Sequence, residues 1–196
     1  MIRNIVFDLN GVLLTYSKDA LMKIADGDAR RMFSMLSVLR SKQWQTYNLG
    51  TYRHVEECLK DYAKTTRSDP EDLKVLLTRF HEECYRIDDD LTSFMKDHPE
   101  YDYYLLSNTV YEQVEVLKMM PFYPLLKGAY CSCDVGMMKP APAFFESFLK
   151  TFDLDPKECL FIDDGWKNTL AARQLGFRVI THFNRRNTLK KLGKGV

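Results

Sequence analysis

Short apolar runs that end abruptly in polar side chains recur along this chain, with stretches of helical periodicity between them. Ile5-Val6-Phe7 leads into Asp8 and then Asn10-Gly11. Tyr103-Tyr104-Leu105-Leu106 leads into Ser107-Asn108-Thr109, and Cys159-Leu160-Phe161-Ile162 into Asp163-Asp164-Gly165. Runs this short and this continuously apolar predict strands buried on both faces. Helical spacing appears in Val110, Val114 and Leu117, and in Phe144, Phe145, Phe148 and Leu149 behind a first-turn Pro142. Ala171, Ala172 and Leu175 mark another helix, closed by Gly176, before Phe177-Arg178-Val179-Ile180 resumes as a strand. The alternation predicts an α/β fold, a mainly parallel sheet with helices on both sides. Ligands of such sheets sit beyond the carboxyl ends of the strands, which places Asp8, Ser107 and Asp163 on one rim.

The stretch from Leu14 to Leu91 breaks this rhythm, being rich in helix formers and poor in strand-like runs. It predicts helices over Ala20–Ile24, Ala29–Leu39, Thr51–Ala63 and Pro70–Cys84, the last started by Asp69-Pro70. The expected organisation is an α/β core of residues 1–14 and 92–196 with a helical insert, residues 15–91. A length of 196 residues suits one core with an insert better than two equal domains.

Lys and Arg number 28 against 27 Asp and Glu, so the chain exerts no general attraction on nucleic acid or an anionic membrane. No apolar run approaches the roughly 18 residues of a membrane span. The five cysteines show no metal-knuckle spacing and read as core residues, with Cys131 and Cys133 on one face of an expected strand. A reducing, cytoplasmic setting is the expectation. The basic tail, with Arg185, Arg186, Lys190, Lys191 and Lys194, reads as a solvated terminus.

A carboxylate at the end of an apolar strand, as at Asp8, needs a cation or several donors to offset its desolvation. Asp163 and Asp164 end another strand of the same sheet, and three converging carboxylates repel one another unless a cation lies among them. An all-oxygen set suits Mg2+. Lys139, in the turn Gly136-Met137-Met138-Lys139-Pro140, can neutralise an oxyanion if it reaches the rim. Ser107, Asn108 and the amides at the following helix start offer donors to a phosphate. Nucleophile, divalent cation, fixed positive charge and donor-lined pocket together match phosphoryl transfer through an aspartyl-phosphate.

Four segments, in order, carry a family resemblance: Asp8-Leu9-Asn10-Gly11-Val12, Leu106-Ser107-Asn108-Thr109, Gly136 to Pro140, and Phe161-Ile162-Asp163-Asp164 with Asn168, Ala171, Ala172, Leu175 and Gly176 behind it. The chain resembles the haloacid dehalogenase (HAD) superfamily, mostly phosphatases, over nearly its whole length. The resemblance implies a Rossmannoid three-layer domain with an inserted small helical (C1-type) cap. It implies a nucleophile at Asp8, phosphate binding by Ser107 and Lys139, and Mg2+ held by Asp8, the carbonyl of Asn10 and one or both of Asp163 and Asp164. The branch it most resembles acts on small phosphorylated metabolites, sugar phosphates among them. Tyr16, Trp44, Tyr47 and Asn48 are the candidates for specificity from the cap side.

The chain departs from the family pattern at Asn10, where phosphatases usually carry a second aspartate that protonates the leaving group and activates water. An amide does neither at neutral pH. The leading expectation is a phosphatase weakened at this point. A catalytically quiet phosphate-binding protein and a 2-haloacid dehalogenase are the alternatives. A phospho-receiver domain fits poorly, since its acidic pair comes first in the chain and its phosphorylated aspartate later. Expected partners are a small phosphorylated substrate, with neither nucleic acid nor membrane, in a monomer or a homodimer.

Overall fold

The computed structural model describes residues 1–193. The chain runs through β1 (Asn4–Phe7), β2 (Leu14–Tyr16), α1 (Lys18–Ile24), α2 (Ala29–Leu39), α3 (Lys42–Asn48), α4 (Val55–Thr66) and α5 (Pro70–Arg79). It continues through β3 (Tyr85–Ile87), α6 (Asp89–Asp97), β4 (Asp102–Ser107), α7 (Tyr111–Lys118), β5 (Leu126–Cys131) and α8 (Ser132–Val135). The last elements are α9 (Pro142–Phe152), β6 (Cys159–Asp163), α10 (Trp166–Gln174), β7 (Arg178–Thr181) and α11 (Arg185–Leu192).

Five parallel strands form one sheet in the order β5-β4-β1-β6-β7. Phe7 lies level with Leu105 on one neighbour and Ile162 on the other, so the strand ends carrying Asp8, Ser107 and Asp163 share an edge. The chain leaves β1 in opposite directions on its two sides, which makes this edge the switch point where α/β sheets bind ligands. Alternation along the strands builds a layer on each face. Ile5, Phe7, Leu105, Leu160 and Ile162 pack with Leu91, Phe94 and Met95 of α6 and Leu117 of α7. Val6, Tyr104, Leu106 and Phe161 pack with Phe144, Phe145 and Phe148 of α9 and Ala171 and Ala172 of α10.

Between β2 and β3, themselves paired antiparallel, the insert has a core of its own. Leu21 and Ile24, Met35 and Val38, Leu59 and Tyr62, and Leu73, Leu76 and Leu77 meet there from four helices. The break expected at residues 91/92 falls inside α6, whose apolar side packs on the sheet. Ser17 starts α1 early by accepting from the amides of Asp19 and Ala20. The helix expected from Thr51 begins only at Val55, because His54 is extended and offers no side-chain cap. Instead Glu112 of α7 accepts from the Val55 amide at 3.1 Å and takes the Tyr47 hydroxyl on its other oxygen. The helix expected over Pro70–Cys84 is α-helical only to Arg79 and ends in a π turn, Phe80–Cys84.

Two further expectations are corrected. Cys133 lies in α8 and not in a strand with Cys131, since β5 ends at Cys131, although both remain buried in the same core. The basic tail folds as α11, capped by Asn184 and burying Thr188 and Leu192, while Arg185 pairs with Asp90 at 2.8 Å. Lys194 lies outside the described residues. Ser132 ties the insert to the sheet: its hydroxyl donates to the Asn48 carbonyl at 2.6 Å and accepts from the Thr109 amide at 3.0 Å. Among the described residues, no helix is long and apolar enough to cross a membrane.

All five cysteines are buried and unpaired. Burial pushes the thiols of Cys58, Cys131, Cys133 and Cys159 up to about 12. Thiolate is the reactive form, so iodoacetamide at pH 8 is expected to leave the native protein unlabelled, as read by intact mass. Labelling of all five should appear only in denaturant.

Candidate active site

Lys139 organises the centre of the rim. Its ammonium lies 2.8 Å from Asp8 Oδ1, 2.7 Å from Asp163 Oδ2 and 2.8 Å from the carbonyl of Leu106, at 2% exposure. Three oxygen acceptors use its three donors, which is how a lysine can be buried. The loop that delivers it is clasped by Asn108: the Lys139 amide donates to Oδ1 at 2.8 Å and the Asn108 amide donates to the Lys139 carbonyl at 2.9 Å. These two bonds engage both polar atoms of the Asn108 side chain, which was expected to face a phosphate, and tie it to the lysine loop.

Asp163 is fully buried and well supplied with donors. Beside Lys139, it accepts from the Gly165 amide at 2.7 Å and from Asn168 Nδ2 at 2.9 and 3.1 Å. Asp164 is more exposed and brings the third carboxylate, so that oxygens of Asp8, Asp163 and Asp164 lie within 4.8 Å of one another. Gly11 permits this approach. A Cβ there would stand 2.4 Å from Asp164 Oδ2, and the backbone φ of +85° also favours glycine.

One ammonium among three carboxylates leaves an excess of negative charge. Burial pushes Asp8 up to about 7, with Lys139 pulling it down and Asp163 pushing it up. Burial and the neighbouring Asp163 likewise raise Asp164. Burial disfavours the charge on Lys139, but Asp8 and Asp163 outweigh it and hold the ammonium charged. A hard divalent cation fits this donor set, all oxygen and short of positive charge. Asp8, Asp163 and Asp164 are the side chains able to hold it.

Ser107 ends β4 beside this cluster, and its hydroxyl is buried without a hydrogen-bond partner. Leaving such a group unpaired costs about 1–3 kcal/mol, a cost that an incoming oxyanion would relieve. Both polar atoms of the Asn10 side chain are engaged. It forms a reciprocal amide pair with Gln113, donating to Oε1 at 3.2 Å and accepting from Nε2 at 2.9 Å. Gln113 is buried and also accepts from the Thr109 hydroxyl at 2.6 Å.

A cleft of about 200 Å³ opens between this rim and the insert. Tyr16, Trp44 and Asn48 line it, together with Asn10 and Asn108. Tyr47 does not; it is buried, donates its hydroxyl to Glu112 and joins insert to sheet. Sequence reasoning missed Gln113, although a glutamine inside the stripe Val110, Val114 and Leu117 was a visible signal. It also missed His81 of the π turn, which lines the cleft and whose position depends on that irregular turn.

The model of the haloacid dehalogenase-like hydrolases matches residues 2–176. A D-ribitol-5-phosphate phosphatase of Bacteroides thetaiotaomicron is 27% identical over 191 residues, covering 90% of each chain. A sesquiterpene phosphatase of Aspergillus oryzae is 24% identical over 174 residues, covering 87% of this chain and 85% of its own. The solved structure of a HAD family enzyme from Bacteroides thetaiotaomicron, in complex with magnesium and inorganic phosphate, has a TM-score of 0.74 at 20% identity. It covers 96% of this chain and 99% of its own. With the family model spanning nearly the full length and the rim geometry in agreement, this chain belongs to the haloacid dehalogenase-like hydrolases.

Proposed function

We propose that this protein is a magnesium-dependent phosphatase of a small phosphorylated metabolite, working through an aspartyl-phosphate on Asp8. The observation that carries the reading is the buried Lys139 ammonium shared by Asp8 and Asp163, beside the unpartnered hydroxyl of Ser107. The phosphatase relatives and the magnesium- and phosphate-bound structural neighbour support it.

Asp8 lends a carboxylate oxygen to the phosphorus, and Lys139 favours the ionised form of that carboxyl and balances the phosphoryl oxygens. The Ser107 hydroxyl donates to one of those oxygens. Asp8, the backbone carbonyl of Asn10 and Asp164 would hold Mg2+, with Asp163 committed to Lys139, Gly165 and Asn168. When bound, Mg2+ supplies neutralising charge to the phosphate and its developing negative charge. The helices of residues 15–91 act as a cap that excludes bulk water and shapes the substrate space. Ribitol phosphate and sesquiterpene phosphate differ so widely that the relatives' names do not choose the leaving group.

The Asn10–Gln113 pair favours one second reading, a protein that binds phosphate and turns it over little. A panel of small phosphate esters, assayed with and without Mg2+, decides between the two. Metal-dependent turnover is expected, lost by at least about 10²-fold in Asp8→Asn. Equal activity of the native and Asp8→Asn proteins would overturn the phosphatase reading.

A further inference from the structure

We propose that the natural substrate is an aromatic phosphate monoester, cleaved so that its bridging oxygen departs as a phenolate. The inference rests on the phosphatase reading above, and two independent features carry it.

The first is the locked amide of Asn10. Both its polar atoms are engaged by Gln113, which is itself buried and held by Thr109, so no acidic proton stands at this position. A departing alkoxide resembles hydroxide, a far stronger base than a phenolate, and without an acid such a group leaves slowly. A phenol ionises near 10, roughly six powers of ten more readily than water. A phenolate can depart with no proton donor beside it.

The second is the lining of the cleft. The insert presents Tyr16, Leu36, Leu39, Trp44, Phe80 and Tyr85 to the space beside Asn10, and among the described residues no Asp, Glu, Lys or Arg lines it. Burial holds His81 below the usual imidazole range, so the cleft is uncharged at neutral pH. Phe80 and Tyr85 stand with ring centroids 5.0 Å apart, and Tyr16 meets Phe80 edge-on at 5.8 Å. Asn10, Asn48, Asn108 and Gln113 also line the cleft. The Nδ2 donors of the three asparagines are already spent on Gln113, the Trp44 carbonyl and the Lys139 carbonyl. A polyol would therefore lose hydrogen bonds to water there, whereas a ring keeps its contacts and adds aromatic ones.

The step balances without a further reagent. An Asp8 oxygen forms a bond to phosphorus as the bond to the aryl oxygen breaks, and the electron pair leaves on the phenolate, which takes a proton from solvent. Water then attacks the phosphorus, the Asp8 carboxylate is released, and the proton of the water passes to solvent or to the inorganic phosphate. One water is consumed, and a phenol and phosphate are formed.

The test compares phenyl phosphates of increasingly acidic phenols, p-nitrophenyl phosphate among them, with benzyl phosphate and glycerol phosphate. Benzyl phosphate keeps the ring but must release an alkoxide. The kcat/KM for phenyl phosphate should exceed that for benzyl phosphate by about 10²- to 10⁴-fold and rise with phenol acidity. The chain has two tryptophans, so a Trp166→Phe protein leaves Trp44 as the sole indole reporter of the cleft. Phenylphosphonate should change its fluorescence and bind at least tenfold tighter than methylphosphonate. Turnover of benzyl or glycerol phosphate within tenfold of phenyl phosphate, or equal affinity for the two phosphonates, overturns this inference and leaves the phosphatase reading standing. If no ester is cleaved above the Asp8→Asn background, the phosphatase reading fails and the inference falls with it.

Discussion

Lys139→Met is expected to destabilise the fold by about 3–5 kcal/mol, the scale for stripping one partner from a buried ion pair. Methionine matches the length and fills the space, so the effect is that of charge and not of a cavity. Asp8 and Asp163 would be left facing each other inside the protein with no counter-ion, and the Leu106 carbonyl would lose its donor. Urea denaturation followed by far-UV circular dichroism, without divalent cation, measures the loss. Asp163→Asn added to the Lys139→Met background should restore part of it, with a coupling of about 0.5–3 kcal/mol. An additive double variant would show that the two groups do not act as a pair.

The pH dependence of the cation-free protein follows from Asp8. Its carboxyl ionises near 7 when folded, against an ordinary 3.8. Between these values the folded state binds the extra proton, so Asp8 makes stability fall as pH rises through this window and flatten above it. The usual salt-bridged aspartate gives the opposite slope. The measured midpoint is therefore expected to fall between pH 5 and pH 8, and Asp8→Asn should remove this contribution.

Asn10→Asp is expected to raise turnover of unactivated alkyl phosphates by about 10²- to 10⁴-fold, the usual contribution of a positioned acid and base. The surroundings suit the exchange. One carboxyl oxygen would keep the Gln113 Nε2 donor, now 2.9 Å from Asn10 Oδ1, while the other would replace Nδ2 opposite Gln113 Oε1. Two facing acceptors favour the protonated carboxyl, the form needed to protonate a leaving group. Steady-state kinetics on glycerol phosphate with Mg2+ reads the effect. An unchanged rate would mean that another group already handles the proton.

The rim was legible because each of its carboxylates and its serine sits where an apolar run stops. Asp8, Ser107 and Asp163 needed only the parallel-sheet rule to be brought together. Lys139 was legible as a residue but not as a buried one, since its place depends on Asn108, 31 positions away, clasping its backbone. The insert was read as helical, but the π turn at Phe80–Cys84 was not foreseen, because the apolar spacing of α5 runs on smoothly through it. β5 was expected only around Cys131 and Cys133, and its start at Leu126 went unmarked because it is an edge strand with Lys127 exposed and Gly128 in its middle. Tyr47 reads equally as a specificity residue or as packing, since an aromatic in a helical insert gives no sign of which neighbour will take its hydroxyl; the structure buries it with that hydroxyl on Glu112.

The bonds joining insert to sheet converge on few groups, and this bears on how product escapes. Glu112 receives both the Tyr47 hydroxyl and the Val55 amide, while the Ser132 hydroxyl joins the Asn48 carbonyl to Thr109. Swinging the helices outward would break the bonds that reach them, and the Ser132 hydroxyl, whose bonds are buried, would be left without its partner on the insert. On the phosphatase reading, any outward swing of the insert that frees product has to break the Glu112 and Ser132 contacts together.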